Sequence, residues 1–342
     1  MTRLMALPDT GYLDSLPPVR KVTCTEGHQL VEIIEGAEPV VLSGLVSHWP
    51  LVKAAGAQQL EAYLARFDTG VDIVAFELSA ESKGQVFYNS EMTGFNFSRQ
   101  TSTLLHVLAG LQDPHTETTT YVGSTPVDYC LPGLKLENDL PIAHLKPVVS
   151  LWLGGQTRIA AHFDQPDNIA CVVAGRRRFT LFPPDQLENL YIGPWDFNPA
   201  GQAISLVDFS APDYQRFPKF ETALASAQVA TLEAGDALFI PSMWWHHVES
   251  LSSVNALINF WWRQGPAYQG LPVDVFQHAL LNLKHLPVEQ RRAWFQIFKH
   301  YVFNEDDKTL AHIPSACQGF LGSIDDDMAR QLRALLRNKL NR

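Results

Sequence analysis

The chain has 342 residues, 46% of them hydrophobic and 11% aromatic, which is ample for a large core and incompatible with wholesale disorder. Asp and Glu outnumber Lys and Arg by 36 to 26, a formal net charge of -10, and such a surface argues against broad binding to nucleic-acid backbones. Cys24, Cys130, Cys171 and Cys317 are far apart and form no Cys-x-x-Cys pair, as expected of reduced thiols in a cytoplasmic protein. The N-terminal apolar stretch is too short for a signal peptide, and no apolar run reaches the length of a membrane span.

Residues 1–35 read as a leader with little structure. Residues 38–44 read as a short apolar strand ending in a turn, and Pro50 precedes helical apolar spacing over 51–65. A strand is expected at 71–76. Residues 87–97 are aromatic and interrupted by Gly94, which suits a hairpin or loop better than a helix. A short helix at 104–111 and a strand at 119–122 follow.

From 148 to 262 the pattern is β throughout, with strands at 148–153, 169–173, 177–182, 229–232, 237–240 and 256–262. Gly154-Gly155, Ala174-Gly175, Pro183-Pro184 and Gly235-Asp236 punctuate them. Short strands with such turns predict a sandwich or barrel. After Pro272 helical spacing returns at 273–283, 288–302 and 324–340. The last helix has Ser323 as N-cap, Asp325–Asp327 in its first turn, and a stripe of Met328, Leu332, Leu335 and Leu336. This helical tail either packs on its own domain or pairs with a second subunit. The chain therefore divides into 1–271, with a β core at about 148–262, and 272–342.

Two short motifs carry chemistry. In His162-Phe163-Asp164, strand alternation puts His162 and Asp164 on one face and Phe163 on the other, and Asn168 shares their face. About eighty residues later stands Trp244-Trp245-His246-His247, where a short aromatic loop after Pro241 delivers a histidine. Spacing leaves open which of the two histidines it is. Two imidazoles and one carboxylate occupy one face of an octahedral Fe(II) and leave three positions open. In 176–182, Arg177, Phe179 and Leu181 share one face, and Arg176, Arg178 and Thr180 share the other. An inward Arg177 is costly unless an anion meets it, so it reads as a carboxylate clamp. His28, His48, His106 and His144 read as structural or solvated.

His162-x-Asp164, Gly175-x-Arg177-Arg-Phe-Thr-Leu-Phe-Pro-Pro, Ile240-Pro-x-x-Trp-Trp-His-His-Val-Glu-Ser and Asn259-Phe-Trp, in that order, resemble the JmjC/cupin-like family of Fe(II)- and 2-oxoglutarate-dependent oxygenases. The likeness spans roughly 38–265 and is nearest to the family's asparaginyl hydroxylases. It implies a mainly β fold with helices: a double-stranded β-helix, or jelly-roll barrel, followed by the C-terminal helical region. It assigns His162, Asp164 and His246 as iron ligands, with 2-oxoglutarate as cosubstrate and O2 as oxidant. It matches Arg177 to the basic residue that grips the far carboxylate of 2-oxoglutarate, a lysine in the hydroxylase, and Tyr121 to a tyrosine bonded to the same carboxylate. Asn168 and Asn259 fall near the cosubstrate, and Trp261 flanks the substrate. Ile159 departs from the threonine of the hydroxylase.

The resemblance implies hydroxylation of a protein or peptide side chain or of a small amino-acid-like molecule. The alternatives are a tRNA or other nucleic-acid hydroxylase, a protein demethylase, and a cupin that binds metal or ligand without turnover. Residues 87–97 resemble bacterial cupin-like proteins and form either a wall on the substrate side or a surface hairpin of packed aromatics. A homodimer through the C-terminal helices is one of the two readings of that tail, the other being packing on its own domain.

Overall fold

A computed structural model describes residues 10–23, 27–113, 115–116, 118–199 and 201–340, with side chains from residue 30 onward in the helix that begins at Gly27. Residues 1–9 of the expected leader, Cys24 and the side chain of His28 lie outside the described residues. Contacts divide the chain into two units, Met1–Gln264 and Gly265–Arg342.

The centre of the first unit is formed by eight consecutive strands: β7 (Val148–Gly154), β8 (Arg158–His162), β9 (Asp167–Ala174), β10 (Arg176–Phe182), β11 (Gln228–Glu233), β12 (Ala237–Ile240), β13 (Trp245–Ser250) and β14 (Asn255–Trp262). They fall into two ladders, β12-β9-β14-β7 within a nine-stranded sheet and β11-β10-β13-β8 within a five-stranded one. The chain passes repeatedly from one sheet to the other, which is jelly-roll topology. The larger sheet is extended by β1 (Lys21–Val22) and β2 (Val40–Leu42) at one edge and by β6 (Thr119–Pro126), β3 (Ile73–Leu78) and β5 (Phe97–Ser102) at the other. The smaller sheet is extended by β4 (Gln85–Val86) beside β8.

Inner strands are covered on both faces, so their burial does not alternate: β9 is buried at every position. Between the sheets lie Ala170, Val172, Phe179, Leu181, Leu238, Ile240, Val248 and Leu257. The outer face of the large sheet packs on short helices, α1 (Gly27–Glu35), α2 (Pro50–Gly56), α3 (Leu60–Leu64), α4 (Leu104–Gln112) and α5 (Val127–Cys130). The outer face of the small sheet is closed by the connection from β10 to β11, including α6 (Phe220–Ala225), through Phe209, Phe217 and Phe220.

Several expectations need correction. The leader is organised from residue 11, because a 3-10 turn at Gly11–Ser15 buries Leu13 and Val19 joins the core between the sheets. The helix expected over 51–65 is two helices, broken where Gln58 takes a left-handed φ of 58°. The histidine-bearing segment is strand β13, and only Pro241–Trp244 is a turn. Ser323 does not cap the last helix. That helix starts at Asp326, and Asp325 Oδ1 accepts the Met328 N–H at 2.8 Å. Where β9 turns into β10, glycine is obligatory: Gly175 has φ 73°, and a Cβ there would lie 2.5 Å from Val254 O.

The second unit contains α7 (Pro272–Leu283), α8 (Val288–Phe298), a π turn at Lys299–Phe303 and α9 (Asp326–Leu340). Among its described residues only Thr309 and Ala329 are buried, while Leu281, Phe295, Val302 and Phe303 are at least 60% exposed. Among the described residues no cysteine is in a disulfide, and no helix is long and apolar enough to cross a membrane.

Candidate metal centre

The candidate ligand residues are brought together by the β8–β13 ladder, in which His246 is paired with His162. From His246 to Val248 is two residues, but their partners His162 and Ile159 are three apart, so β8 carries a bulge. The extra residue changes the parity of the strand. Ile159 packs among the residues between the sheets, Ala161 and Phe163 join the outer cluster, and His162 turns inward again. Asp164 lies two residues beyond the end of β8. The ligand atoms of His162, Asp164 and His246 lie within 4.8 Å of one another, with His246 Nε2 3.7 Å from Asp164 Oδ2.

Both imidazoles are oriented by backbone. His162 Nδ1 is 2.9 Å from Ala160 O and His246 Nδ1 is 3.0 Å from Trp244 O. A carbonyl only accepts, so each Nδ1 carries the proton and each Nε2 presents its lone pair to the cluster. Burial, reinforced by His162, lowers the His246 pKa to about 4 against the opposing pull of Asp164, which keeps this ring neutral. Two inward imidazoles and one carboxylate at these separations fit a facial Fe(II) site.

Of the adjacent histidines, His246 faces the interior and His247 does not. His247 pairs with Thr180 on the outer face and stacks on Phe209, with centroids 4.4 Å apart. His48, His106 and His144 are exposed.

Deeper between the sheets, Arg177 is 4% exposed, and its Nε and Nη2 have no hydrogen-bond partner among the described residues. Burial lowers its pKa to about 10, and nearby Tyr121 opposes the shift. Its neighbours in sequence behave differently. Arg176 is exposed, and Arg178, on the outer face, pairs with Glu249 at 2.7 Å and Asp14 at 2.8 Å. Tyr121 is also buried, and burial, with Asp164 contributing, raises its pKa so that the phenol remains a donor.

Asn168 Oδ1, Asn259 Nδ2 and Trp261 Nε1 are likewise buried without a partner. Asn259 is pinned from its other end by Trp152 Nε1 at 2.9 Å, and Trp261 meets Trp152 edge-on with centroids 5.7 Å apart. A buried guanidinium without a counter-charge, beside unsatisfied amides, fits a carboxylate ligand.

Sequence reading missed Ser150 and Trp152 in this group. Ser150 lies opposite Asn259 in the β7–β14 ladder, and its Oγ is also buried without a partner. Alternation along β7, read against Asn259, is the signal that finds both.

Residues 87–97 form a hairpin closed by the Tyr88–Phe95 bridge. Four rings stack in a row there: Phe76 on Phe97 at 4.6 Å, Phe97 on Phe95 at 5.3 Å, and Phe95 on Phe197 at 5.0 Å. Phe76 meets the Tyr121 ring edge-on at 5.9 Å, so the row begins at the interior site.

Residues 28–268 match the family model described as the cupin-like domain. Lysine-specific demethylase JMJ31 of Arabidopsis thaliana is 34% identical over 116 residues, 34% of this chain and 21% of that protein. Lysine-specific demethylase 8 of Xenopus tropicalis is 26% identical over 255 residues, 73% of this chain and 54% of its own. tRNA wybutosine-synthesizing protein 5 of Gallus gallus is 31% identical over 145 residues, 38% of this chain and 42% of its own. The chain thus spans about half or less of the length of these relatives.

Proposed function

The chain belongs to the cupin-like domain family, and on that premise we propose that it is an Fe(II)- and 2-oxoglutarate-dependent dioxygenase. Its substrate in this reading is a protein or peptide side chain or a small amino-acid-like molecule, which it hydroxylates. The observation that carries the proposal is the three-ligand cluster at one end of an interior that also holds an unpaired, buried Arg177. Neither feature is useful to the other in a purely structural core.

His162, Asp164 and His246 would hold the iron. Iron, when bound, supplies the redox chemistry that couples decarboxylation of 2-oxoglutarate to oxidation of a C–H bond by O2. Arg177 would hold the far carboxylate of 2-oxoglutarate, and Tyr121 would donate a hydrogen bond to it. Asn168 and Asn259 would stand beside the cosubstrate, with Trp152 holding the Asn259 amide. The packed apolar residues between the sheets would exclude water from the inner end of this site. Trp261 stands on the substrate side.

Demethylation of a lysine side chain by the same iron chemistry is the alternative reaction, and two of the relatives carry that name. The relative named for tRNA modification raises a nucleic-acid substrate, against which the net charge of -10 counts. Turnover separates all of these from a binding-only cupin. Anaerobically iron-loaded protein given 2-oxoglutarate and O2 is expected to form succinate slowly, and faster with the right member of a peptide and metabolite panel. Stoichiometric iron binding with no succinate above the His162→Ala background, on any substrate, would rule out the oxygenase reading.

The assembly we propose is a homodimer through the exposed apolar faces of α7, α8 and α9. The compartment we propose is the cytoplasm, where the free thiols of Cys130 and Cys171 stay reduced.

A further inference from the structure

Two loops carry the ligands from one sheet to the other. Residues 163–166 run from β8 in the small sheet to β9 in the large one, and residues 241–244 run from β12 in the large sheet to β13 in the small one. The strand ladders end at their bases, yet the loops are tied together along their length. Ser242 N–H donates to Asp167 Oδ1 at 2.8 Å. Ser242 Oγ donates to Gln165 O at 2.6 Å. Met243 N–H donates to Asp164 O at 2.9 Å. Asp167 is 5% exposed, and its second oxygen accepts Gln264 Nε2 at 2.6 Å.

The backbone is bent to make these bonds. Trp244 N–H closes a turn on Pro241 O at 3.2 Å, and Met243 at the third position has φ 68°. A type II turn demands that left-handed value and normally fills it with glycine or asparagine. Here a methionine accepts it, and its N–H meets the carbonyl of a ligand residue. Strain of this kind persists where the surroundings over-determine it.

We propose that Asp167 and Ser242 are positioning residues for the metal centre. They join the Asp164 loop to the His246 turn and so set the separation of the carboxylate from the imidazole. This inference rests on the reading of His162, Asp164 and His246 as a metal site. Asp167 acts as a bridge: one oxygen holds the turn and the other is anchored to the chain after β14. Ser242 holds the opposite loop at two points, through its N–H to Asp167 and its hydroxyl to Gln165 O. Outer-shell partners bonded to the ligands themselves cost metal affinity about 10–100-fold when lost. Asp167 and Ser242 act one bond further out, on the turn whose Met243 N–H meets Asp164 O, so the lower end of that range is expected.

The test uses Co(II) as probe, with binding measured by chelator competition and coordination by visible absorption, alongside the melting temperature of the metal-free full-length chain. Wild type is expected to bind one Co(II). Ser242→Ala and Asp167→Asn should each bind it about 10-fold or more weaker, with shifted visible bands. Their metal-free melting temperatures should stay within ~2 °C of wild type. Ser242→Thr, which restores a hydroxyl, should recover the affinity. If Asp167→Asn does not fold, Ser242→Ala and its threonine rescue decide the matter. Unchanged affinity and bands in the folded variants would overturn the proposal, as would a loss of metal-free stability without loss of Co(II) binding. Failure of wild type to bind Co(II) would instead sink the metal reading, and the proposal with it.

Discussion

His162 and His246 are cross-strand partners in the β8–β13 ladder, with ring centroids 4.3 Å apart and both Nδ1 atoms turned back to their own backbone. His247, one residue on, lies on the other face of the same strand. Replacing the two adjacent histidines should therefore have different consequences. His246→Ala should abolish stoichiometric Co(II) or Fe(II) binding. His247→Ala should leave binding intact and cost about 1–3 kcal/mol of stability through lost packing on Phe209. Equilibrium dialysis and urea denaturation of the two variants check this. Loss of metal from His247→Ala with His246→Ala unaffected would reverse the assignment.

Arg177 is costly to the protein on its own, because two nitrogens of its buried guanidinium have no partner among the described residues. Arg177→Met should raise the stability of the cosubstrate-free protein by about 1–3 kcal/mol. The same change should abolish the thermal shift that 2-oxoglutarate gives the wild type and raise the 2-oxoglutarate requirement for succinate formation at least tenfold. Arg177→Lys should lie between the two. A normal 2-oxoglutarate requirement in Arg177→Met would remove the residue from the cosubstrate pocket.

Acid should weaken the metal-free protein in a defined window. Burial lowers the pKa of both His246 and His247 from 6.5 to about 4. Between those values the unfolded chain binds protons that the folded chain does not, so stability falls as pH falls. These groups contribute no slope above pH ~6.5 or below pH ~4, and each accounts for on the order of 3 kcal/mol across the window. Urea midpoints from pH 8 to 4 should show the decline, and His247→Leu should roughly halve it, because His246 keeps its share. A midpoint that does not change between pH 6.5 and 4.5 would contradict it.

The second unit exposes Leu281 on α7 and Phe295 on α8, each at 60% or more. Light scattering of the full-length chain should give a dimer mass, and Leu281→Glu with Phe295→Glu should give a monomer. Metal binding should survive that change, because every ligand lies in the first unit. A wild-type chain that is monomeric at micromolar concentration would end the dimer proposal.

Much of this was legible in the chain itself. Residue types at short spacing name their chemistry, so His162-x-Asp164, the His246-His247 pair and Arg177 stood out as ligand and anion-clamp types. The β character of 148–182 and 228–262 followed from short apolar segments between Gly and Pro turns. Residues 183–227, expected to continue the β pattern, are instead a long connection that carries α6 and, among the described residues, no strand. The inward faces of Phe179 and Leu181 followed from alternation, and their neighbour Arg177 came with them. Alternation is a local rule, and it holds wherever a strand is regular.

Tertiary structure decided what local rules cannot. The bulge in β8 changes the parity between Ile159 and His162, and only the pairing with β13 reveals it. The choice of His246 over His247 depends on which face of β13 looks between the sheets. Ser150 and Trp152 enter the site through their ladder with Asn259, more than a hundred residues away. Asp167, Ser242 and Gln264 meet only because two loops cross between the sheets side by side. The sequence by itself determined which groups were available for binding a metal and an anion. Long-range strand pairing determined which of them converge, because the distance between residues remote in the chain is set by register and packing.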